Sequence, residues 1–559
     1  MSAGAYASQC EPVDEPAARL EFLRSSAAWP GEPSMPQLIE THISWVFLGE
    51  RHVYKLKKPV SFGFVDFSTR DLRHAACEQE LRLNRRLAPH VYLGLVPITF
   101  DARGQRKLGG DGPVDDWLVR MRRLPADRSL DRLLKAGTLA DRDITALTNL
   151  LEGFYAALPP LPIKAAEYRD SIARHVRDNL DQLRRSAPPL PIDLVERTQA
   201  AQLRLLGLYP EWWEHRVCDG RIVEGHGDLR PEHIYFAPRP VVIDALEFSA
   251  ELRTIDVVDE LSFLAAECDC LFESDVGYRV RDRYCTLAGD SPPPGLLLFY
   301  EAYRASVRAK VAALRACQQT PAEAEGSWRL AERYLRWSDL RLAGVAPPSI
   351  IVVCGLSGTG KSHIAKQLAE QLAAVWLSTD TIRRALRALP SLSTNETNAT
   401  SPTNARSPVS FGIGDYSADR RGEVYAELTR RLPEALRERG LVIVDGTFGR
   451  SAQRAQLAAA ATAANASLLF LHCRCPLDIA RARVRERAVR ETSDSEIQPE
   501  MLTRQAGEAE PFRVGEPVVE VDTSDAPGCV VREALAAVRN HFFEGVNRPA
   551  AAIVYKGGD

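Results

Sequence analysis

The chain of 559 residues lacks any long hydrophobic run. Its apolar stretches, such as those at 350–354 and 468–471, have the length of strands, far below the roughly 20 residues that a membrane-spanning helix needs. The first residues also lack the basic start and apolar core of a secretory signal peptide. These absences predict a cytoplasmic protein that does not associate with a membrane.

Paired cysteines and a strong excess of charge are missing too. The 11 cysteines form no CxxC pair, which favours reduced thiols over a disulfide framework or a zinc site. A formal net charge of −3 gives no reason to expect binding to nucleic acid. With 45% apolar and 26% charged residues, the composition is that of an ordinary globular protein with several folding units.

A glycine-rich segment in the second half of the chain has the spacing GxxxxGK[ST] of a phosphate-binding loop. It follows an apolar run, precedes an amphipathic stretch, and consists of Gly355, Leu356, Ser357, Gly358, Thr359, Gly360, Lys361 and Ser362. Small residues let successive backbone N–H groups point at phosphate oxygens, at the positive end of a helix. Lys361 would neutralise the phosphates and Ser362 would hold Mg²⁺. The segment therefore predicts an ATP site.

A second buried strand of this region, 441–445, ends in a carboxylate. Asp445 would hold the Mg²⁺ shell there, although a strand-end Asp can also cap the next helix. No Glu follows Asp445, and no NKxD segment for reading guanine occurs. Phosphoryl transfer to a substrate is therefore favoured over hydrolysis that drives movement.

Two further segments supply candidate acceptor and lid residues. Asp380 would orient a hydroxyl or accept its proton, and Arg383 would clamp an anionic group, unless this segment only caps a helix. Arg483 and Arg487 lie four residues apart on one helical face. In a lid they would stabilise the charge of the transferring phosphoryl group, whereas a solvated basic face is the alternative.

A pair of motifs upstream predicts a second phosphate-handling site. The first is the segment GHGDLRPEHIYF, which begins at residue 225 and contains Asp228. The second is VVIDALEF, in which Asp244 follows sixteen residues after Asp228. Asp228 would take the proton of the acceptor, and Asp244 would bind Mg²⁺ that bridges the phosphates.

Other parts of a kinase precede these motifs in the expected order. Lys55 and Lys57 share one face of a predicted strand, so either would reach the α- and β-phosphates. Glu80 has the spacing of the helix glutamate that holds such a lysine, with Glu78 as an alternative. The segment around Met121 resembles the hinge whose backbone meets adenine.

These motifs resemble two kinase families. Over about 348–545, the phosphate loop, STDTIRRAL, VIVDGTF and the Arg-rich helix resemble AAA-type P-loop kinases, which include gluconate-kinase-like and zeta-toxin-like enzymes. Over about 35–335, the chain resembles aminoglycoside phosphotransferase-like kinases. ELRLNRRLAPHVYLGLVPI and HGDLRPEHIYF resemble the bacterial subfamily in which that domain is fused to a P-loop kinase. The resemblance implies an α/β and α+β protein: a bilobal, protein-kinase-like domain followed by a doubly wound parallel sheet.

The upstream segment departs from its family at one metal ligand. The Asn that usually lies seven residues after the motif His is His233 in this chain. Mg²⁺ prefers oxygen ligands, so one metal would be lost, Mn²⁺ would be preferred, or nucleotide would bind without turnover. The last outcome would make this domain a pseudokinase.

We therefore expect a bifunctional phosphotransferase that uses ATP and Mg²⁺ at two sites and acts on hydroxyl groups of small molecules. The alternatives are a P-loop kinase regulated by the upstream pseudokinase and a zeta-toxin-like kinase of a nucleotide sugar. The expected boundaries are an extension at 1–35, a kinase-like domain at 36–343, a linker at 344–348, a P-loop domain at 349–545 with a mobile insertion at 388–415, and a tail at 546–559.

Overall fold

A computed structural model describes residues 16–62, 65–186, 190–388, 418–489 and 499–543. The chain divides into two compact units, each built from two stretches of sequence. The first unit comprises Met1–Lys164 and His215–Pro292, and the second comprises Ala165–Glu214 and Pro293–Asp559. The insertion expected at 388–415, apart from its first residue, and the expected tail lie outside the described residues. The domain boundaries therefore stay a prediction.

Helices and strands alternate in the early part of the chain, and helices dominate after it. Up to residue 343, the helices are α1 (Pro16–Leu23), α2 (Arg70–Asn84), α3 (Leu130–Ala136), α4 (Asp141–Ala156), α5 (Ala165–Arg185), α6 (Ile192–Leu208), α7 (Pro210–Cys218), α8 (Ala250–Arg253), α9 (Val257–Phe272), α10 (Val276–Leu287), α11 (Pro294–Cys317) and α12 (Pro321–Ala343). The strands are β1 (Gln37–Glu40), β2 (Ser44–Leu48), β3 (His52–Lys57), β4 (Ser61–Phe62), β5 (Val65–Asp66), β6 (Tyr92–Phe100), β7 (Arg106–Leu108), β8 (Val114–Arg122), β9 (Ile222–Glu224), β10 (Ile234–Phe236), β11 (Pro240–Val242) and β12 (Thr254–Asp256).

Strands and helices alternate again beyond residue 348. The strands are β13 (Ser349–Cys354), β14 (Val375–Ser378), β15 (Leu441–Asp445), β16 (Ser467–Arg474) and β17 (Val518–Asp522). The helices are α13 (Lys361–Gln371), α14 (Thr379–Ala388), α15 (Ala418–Arg439), α16 (Ser451–Ala463), α17 (Leu477–Val489), α18 (Met501–Gly507) and α19 (Pro527–Phe543). No described helix is both long enough and apolar enough to cross a lipid bilayer.

The first unit contains an antiparallel sheet of strand order β1-β2-β3-β8-β6-β7. Helix α2 packs on it and begins where the Thr69 hydroxyl accepts a hydrogen bond from the Leu72 N–H, which satisfies a free donor of the first turn. Cys77 and Leu83 bury the apolar side of α2. The same helix carries the buried Glu80, so helix packing fixes the position of this carboxylate beside β3.

The rest of the first unit is mostly helical around two short antiparallel strand pairs, β10-β11 and β9-β12. An apolar cluster joins α4 and α9 to strands β10 and β11, and Leu147, Leu229, Ile234 and Leu261 are fully buried in it. Leu229 directly follows Asp228, and Ile234 directly follows His233. Burial of these two apolar neighbours anchors the segment from Asp228 to His233 at both ends.

The second unit contains a parallel sheet of strand order β14-β15-β13-β16-β17. All six residues of the central strand β13 are buried, as expected for a strand covered on both faces. The carboxyl ends of parallel strands meet at one edge of a sheet. That edge therefore brings together the segments that follow β13, β14 and β15. The two sheets confirm the mixed α/β class predicted from the sequence.

The carboxyl-terminal ends of two helices of the same unit, α13 and α15, lie against helix α6. The Arg204 side chain is 1% exposed, and its Nη2 donates to the Arg439 carbonyl over 2.7 Å at the end of α15. Its Nε donates to the Leu372 carbonyl over 3.4 Å at the end of α13. Burial lowers the pKa of Arg204 to about 9. A cation is thus placed where two helix dipoles have their negative ends.

Candidate functional site

The phosphate loop is shaped by two close backbone contacts. A Cβ atom on Gly355 would lie 2.4 Å from the Cys473 carbonyl oxygen, and one on Gly358 would lie 2.4 Å from the Ala480 carbonyl oxygen. Both glycines also have positive φ angles, of 137° and 83°. Only glycine fits these two positions without strain. The loop then enters α13 at Lys361, so the first N–H groups of that helix are available to a ligand at its N-terminus.

A lysine, a hydroxyl and a carboxylate meet beside this loop. Asp445 and Lys361 line the same cavity, and the Ser362 hydroxyl is close enough to the carboxylate of Asp445 to influence its pKa. Burial raises the pKa of Asp445, although Lys361 and Ser362 counteract it. Among the described residues, the buried Oδ1 of Asp445 has no hydrogen-bond partner. An oxygen pair with one orphaned atom suits Mg²⁺, so Ser362 and Asp445 fit the metal ion that was predicted for them.

The predicted acceptor residues line the same cavity, and the predicted lid residues lie near it. Asp380 and Arg383 line it and form an ion pair with each other at the start of α14. Burial lowers the pKa of the Arg487 guanidinium, which Asp380 and Asp445 partly restore, so Arg487 is close enough to both carboxylates to interact. Arg483 donates from Nη2 to the Thr523 carbonyl over 2.8 Å.

Arg483 also lies beside the phosphate loop. Its Nη1 is 3.9 Å from the point that a Cβ atom of Gly360 would occupy. The structure therefore brings all the residues predicted for the P-loop site to one edge of the parallel sheet.

Several residues that line this cavity were not predicted from the sequence. They belong to helices that carry no recognisable motif: Arg421 and Tyr425 on α15, Arg450 and Gln453 at the start of α16, and Gln505 and Glu508 at the end of α18. The Gln505 Oε1 accepts a hydrogen bond from the Ser357 N–H over 2.9 Å. The Arg450 Nη2 donates to the Glu508 Oε2 over 3.3 Å. No sequence signal identifies these residues, because only tertiary packing brings their helices together.

The first unit contains a second cluster of charged residues. The Nζ atom of Lys55 is 2.7 Å from the Glu80 Oε1 and 2.5 Å from the Asp244 Oδ1. Burial would lower the pKa of Lys55, but the carboxylates of Asp244 and Glu80 outweigh it and raise the pKa well above its usual value. Lys55 thus links the helix glutamate to the predicted metal ligand.

The neighbouring lysine has a separate partner. The Nζ atom of Lys57 is 2.5 Å from the Glu80 Oε2 and forms a buried ion pair with Glu247. Burial would raise the pKa of Glu80, but Lys55 and Lys57 lower it below its usual value. Both lysines therefore contact Glu80, whereas only Lys55 of these two lysines forms an ion pair with Asp244. Glu247 was part of the IDALE motif but was not assigned a role.

Asp228 and His233 of the upstream motif lie close to the charged cluster. The His233 Nδ1 donates to the Asp228 carbonyl over 2.9 Å, and its Nε2 is 3.8 Å from the Asp244 Oδ2. Burial would raise the pKa of Asp244, but the charge of Lys55 holds it well below its usual value. The arrangement places the imidazole of His233 between the two aspartates that were predicted to act in transfer.

A buried glutamate holds the segment around His226 and Gly227 in place through hydrogen bonds. Glu260 is 0% exposed and accepts hydrogen bonds from the backbone N–H groups of His226 and Gly227 and from the hydroxyl of Tyr155. Sequence reasoning did not identify it, since an acidic residue within a helix has no distinctive spacing. Met121, predicted near the adenine, is buried within β8.

A comparison with protein families finds a match in the part of the second unit that contains the phosphate loop. Residues 350–512 match the family model described as AAA domain. This match confirms the prediction of an AAA-type P-loop domain over that segment. It covers less than half of the chain and gives no acceptor.

The chain is also similar to two mycobacterial proteins over most of its length. It is 31% identical over 474 residues to the uncharacterized protein Rv2004c of Mycobacterium tuberculosis strain H37Rv. The same figures apply to the uncharacterized protein Mb2027c of Mycobacterium bovis. Each alignment covers 84% of this chain and 89% of the relative. The similarity therefore includes most of both units.

Two solved structures are similar to separate parts of the chain. A gluconokinase from Sinorhizobium meliloti 1021 is 22% identical, with a TM-score of 0.25, over 35% of this chain and 95% of its own. A choline/ethanolamine kinase family protein from Mesorhizobium loti is 13% identical, with a TM-score of 0.35, over 58% of this chain and 98% of its own. Scores this low support no conclusion about substrate.

Proposed function

The chain belongs to the same family as the mycobacterial proteins Rv2004c and Mb2027c, and we propose that it is an ATP-dependent kinase whose P-loop site phosphorylates a hydroxyl group of a small molecule. One observation carries this proposal. The buried Asp445, with its orphaned Oδ1, interacts with Ser362 and lines a cavity together with Asp380. A candidate metal ligand and a candidate base therefore face the same space.

The roles follow from position. Lys361 and the N–H groups at the start of α13 would bind the phosphates, and Ser362 with Asp445 would hold Mg²⁺, which neutralises phosphate charge. The acceptor oxygen would form a bond to the γ-phosphorus while the bond from that phosphorus to the β,γ-bridging oxygen breaks. The acceptor proton would pass to the carboxylate of Asp380. Arg487, which interacts with Asp380 and Asp445, would stabilise the transferring group.

Replacement of Lys361 tests this site. In an Asp228→Asn background, which silences the other candidate site, Lys361→Ala should abolish ATP-dependent labelling of acceptors in a metabolite extract. The phosphates would lose their main cationic partner. Lys366→Ala is the matched control, because Lys366 lies on the same helix with its side chain 59% exposed. Undiminished labelling with Lys361→Ala would contradict the proposal.

For the first unit, we propose a second ATP site that also transfers phosphate. Asp228 would be the base, Asp244 the metal ligand, and Lys55 the phosphate contact. If so, Asp228→Asn in a Lys361→Ala background should lower transfer by about 10²- to 10⁴-fold. Asp219→Asn, at an exposed position nearby in sequence, should leave the rate unchanged.

A second candidate function for this unit is nucleotide sensing without turnover. The observation that favours it is the contact of Lys55 with Asp244, together with the imidazole of His233 beside the same carboxylate. A metal ligand that is already paired with a lysine has less need of Mg²⁺. Nucleotide binding by the Lys361→Ala protein that is independent of metal and yields no phosphorylated product would establish this function and exclude the kinase role.

A further inference from the structure

The cavity beside the phosphate loop is rich in arginine. Arg383 on α14, Arg421 on α15 and Arg450 at the start of α16 line it. The other charged residues of its lining are Lys361, Asp380, Asp445 and Glu508. Four cationic side chains against three carboxylates leave an excess of one positive charge in the cavity where the acceptor would bind.

The arginines of this cavity share neighbours. The Arg450 Nη2 donates to the Glu508 Oε2 over 3.3 Å. Burial would raise the pKa of Glu508, but hydrogen bonds from Arg504 and Arg450 and the positive charge of Arg421 lower it. Burial raises the pKa of Tyr425, which lines the same cavity, and Arg383 and Arg421 both counteract this rise. The three arginines therefore lie around one cavity with partners in common.

The ion pairs within this group are open to exchange. Arg450 is 48% exposed and its pair with Glu508 spans 3.3 Å. A partly exposed pair of this kind contributes little to stability, so replacing one carboxylate partner by another costs little. Arginine also binds carboxylate and phosphate oxygens through two parallel hydrogen bonds, which a neutral hydroxyl compound cannot match.

We propose that the acceptor carries an anionic group, a carboxylate or a phosphate ester, which Arg421 and Arg450 bind while its hydroxyl faces Asp380. This inference rests on the proposed kinase function of the P-loop site. It specifies the chemical class of the acceptor. A cavity with equal numbers of positive and negative side chains would not favour an anionic acceptor over a neutral one.

Fractionation of a metabolite extract by charge tests the class. The Asp228→Asn protein is incubated with radiolabelled ATP and either the anionic or the remaining fraction, with the further Lys361→Ala variant as background. Label from the anionic fraction alone supports the proposal. Label from the other fraction, alone or in addition, overturns it. Label from neither fraction contradicts the proposed kinase function itself. Phosphatase treatment of the anionic fraction beforehand separates a phosphate ester, whose labelling is lost, from a carboxylate, whose labelling persists.

Two substitutions test the residues. Arg421→Gln and Arg450→Gln should each raise the KM for the acceptor by about 10- to 100-fold, the loss expected for a charge-assisted hydrogen bond, with kcat at saturation changed less than about threefold. Arg430→Gln is the matched control on α15, because Arg430 is 71% exposed and pairs with Glu427. An unchanged KM in both variants, or an equal change in the control, would overturn the assignment.

Discussion

At the scale of single residues, the chemistry of the P-loop site depends on a carboxylate whose burial disfavours its charged form. Asp445 is 3% exposed, and burial raises its pKa above that of the unfolded chain. Folding therefore favours its protonated form, so its contribution to stability is present at low pH and is lost as the pH rises through the raised pKa. A bound metal ion would compensate for that loss at neutral pH.

Replacing this carboxylate should separate stability from ligand binding. At pH 7 without nucleotide, Asp445→Asn should unfold at an equal or higher denaturant concentration than the wild type. It should also lose the stabilisation by Mg²⁺ and a non-hydrolysable ATP analogue, which amounts to about 2.7 kcal/mol at a hundredfold excess over Kd. Denaturant unfolding with and without the ligand measures both effects. The exposed Asp525→Asn should change neither, and full retention of the ligand effect in Asp445→Asn would refute the metal role.

Residues in contiguous motifs were the ones that the sequence made predictable. The spacing around Lys361, and the strand that ends in Asp445, predicted two groups that the structure brings together. Arg421 and Glu260 were missed for a shared reason: each lies on a helix whose local sequence is unremarkable. Their importance arises only from what packs beside them, which no local spacing encodes.

At the scale of secondary-structure elements, α6 packs closely against α13. Replacing glycine by alanine within a helix ordinarily stabilises a protein, but this contact should make the replacement destabilising at Gly207. A Cβ atom on Gly207 would lie 2.9 Å from the backbone carbonyl oxygen of Gln371. That oxygen belongs to the last residue of α13 and is fixed by the helix. One of the two helices would therefore have to shift if Gly207 gained a methyl group.

Two glycine substitutions in the second unit should therefore act in opposite directions. Gly207→Ala should lower the free energy of unfolding by about 1–3 kcal/mol because of this clash. Gly326→Ala, within α12, should raise it by about 0.5–1 kcal/mol, since its Cβ atom would meet nothing within 4 Å and alanine favours the helix. Thermal and denaturant unfolding measure the difference. Stabilisation by both substitutions would show that the two helix ends do not pack closely.

Element boundaries and element partners differ in how far the sequence predicts them. The apolar run at 350–354 and the glycines after it indicated a strand, a loop and a helix in their observed order. The regular apolar spacing of Ile172, Val176, Leu180 and Leu183 predicts the helix α5 but not the neighbours of that helix. The apolar face of an amphipathic helix must be covered by other apolar residues, but many surfaces could cover it, so the pattern does not identify the partner.

At the scale of the whole molecule, the second unit unites the helices α5, α6, α11 and α12 with the P-loop sheet. Ion pairs and hydrogen bonds within this unit support the grouping. Arg197 donates to Asp339 of α12 and to the Arg437 carbonyl of α15. We therefore expect α6 to open and close together with the P-loop elements.

Hydrogen exchange should reveal this coupling. A non-hydrolysable ATP analogue with Mg²⁺ should slow amide exchange in α6 as well as in α13, because a ligand stabilises the whole cooperative unit that binds it. In the Lys361→Ala protein, the slowing in α6 should vanish, whereas any slowing in β3 of the first unit should persist. Protection of α6 that survives Lys361→Ala would assign this helix to a different cooperative unit.

The contacts of the buried Arg204 affect how this polypeptide can be divided into fragments that fold on their own. A fragment that starts at the proline-rich segment before β13 would contain the complete phosphate loop but not α6. The carbonyl groups at the ends of α13 and α15 would then lose their cationic cap, and an apolar surface would face water. We expect such a truncated protein to aggregate during expression, and a soluble catalytic half to require residues 165–214 and 293–348 in addition.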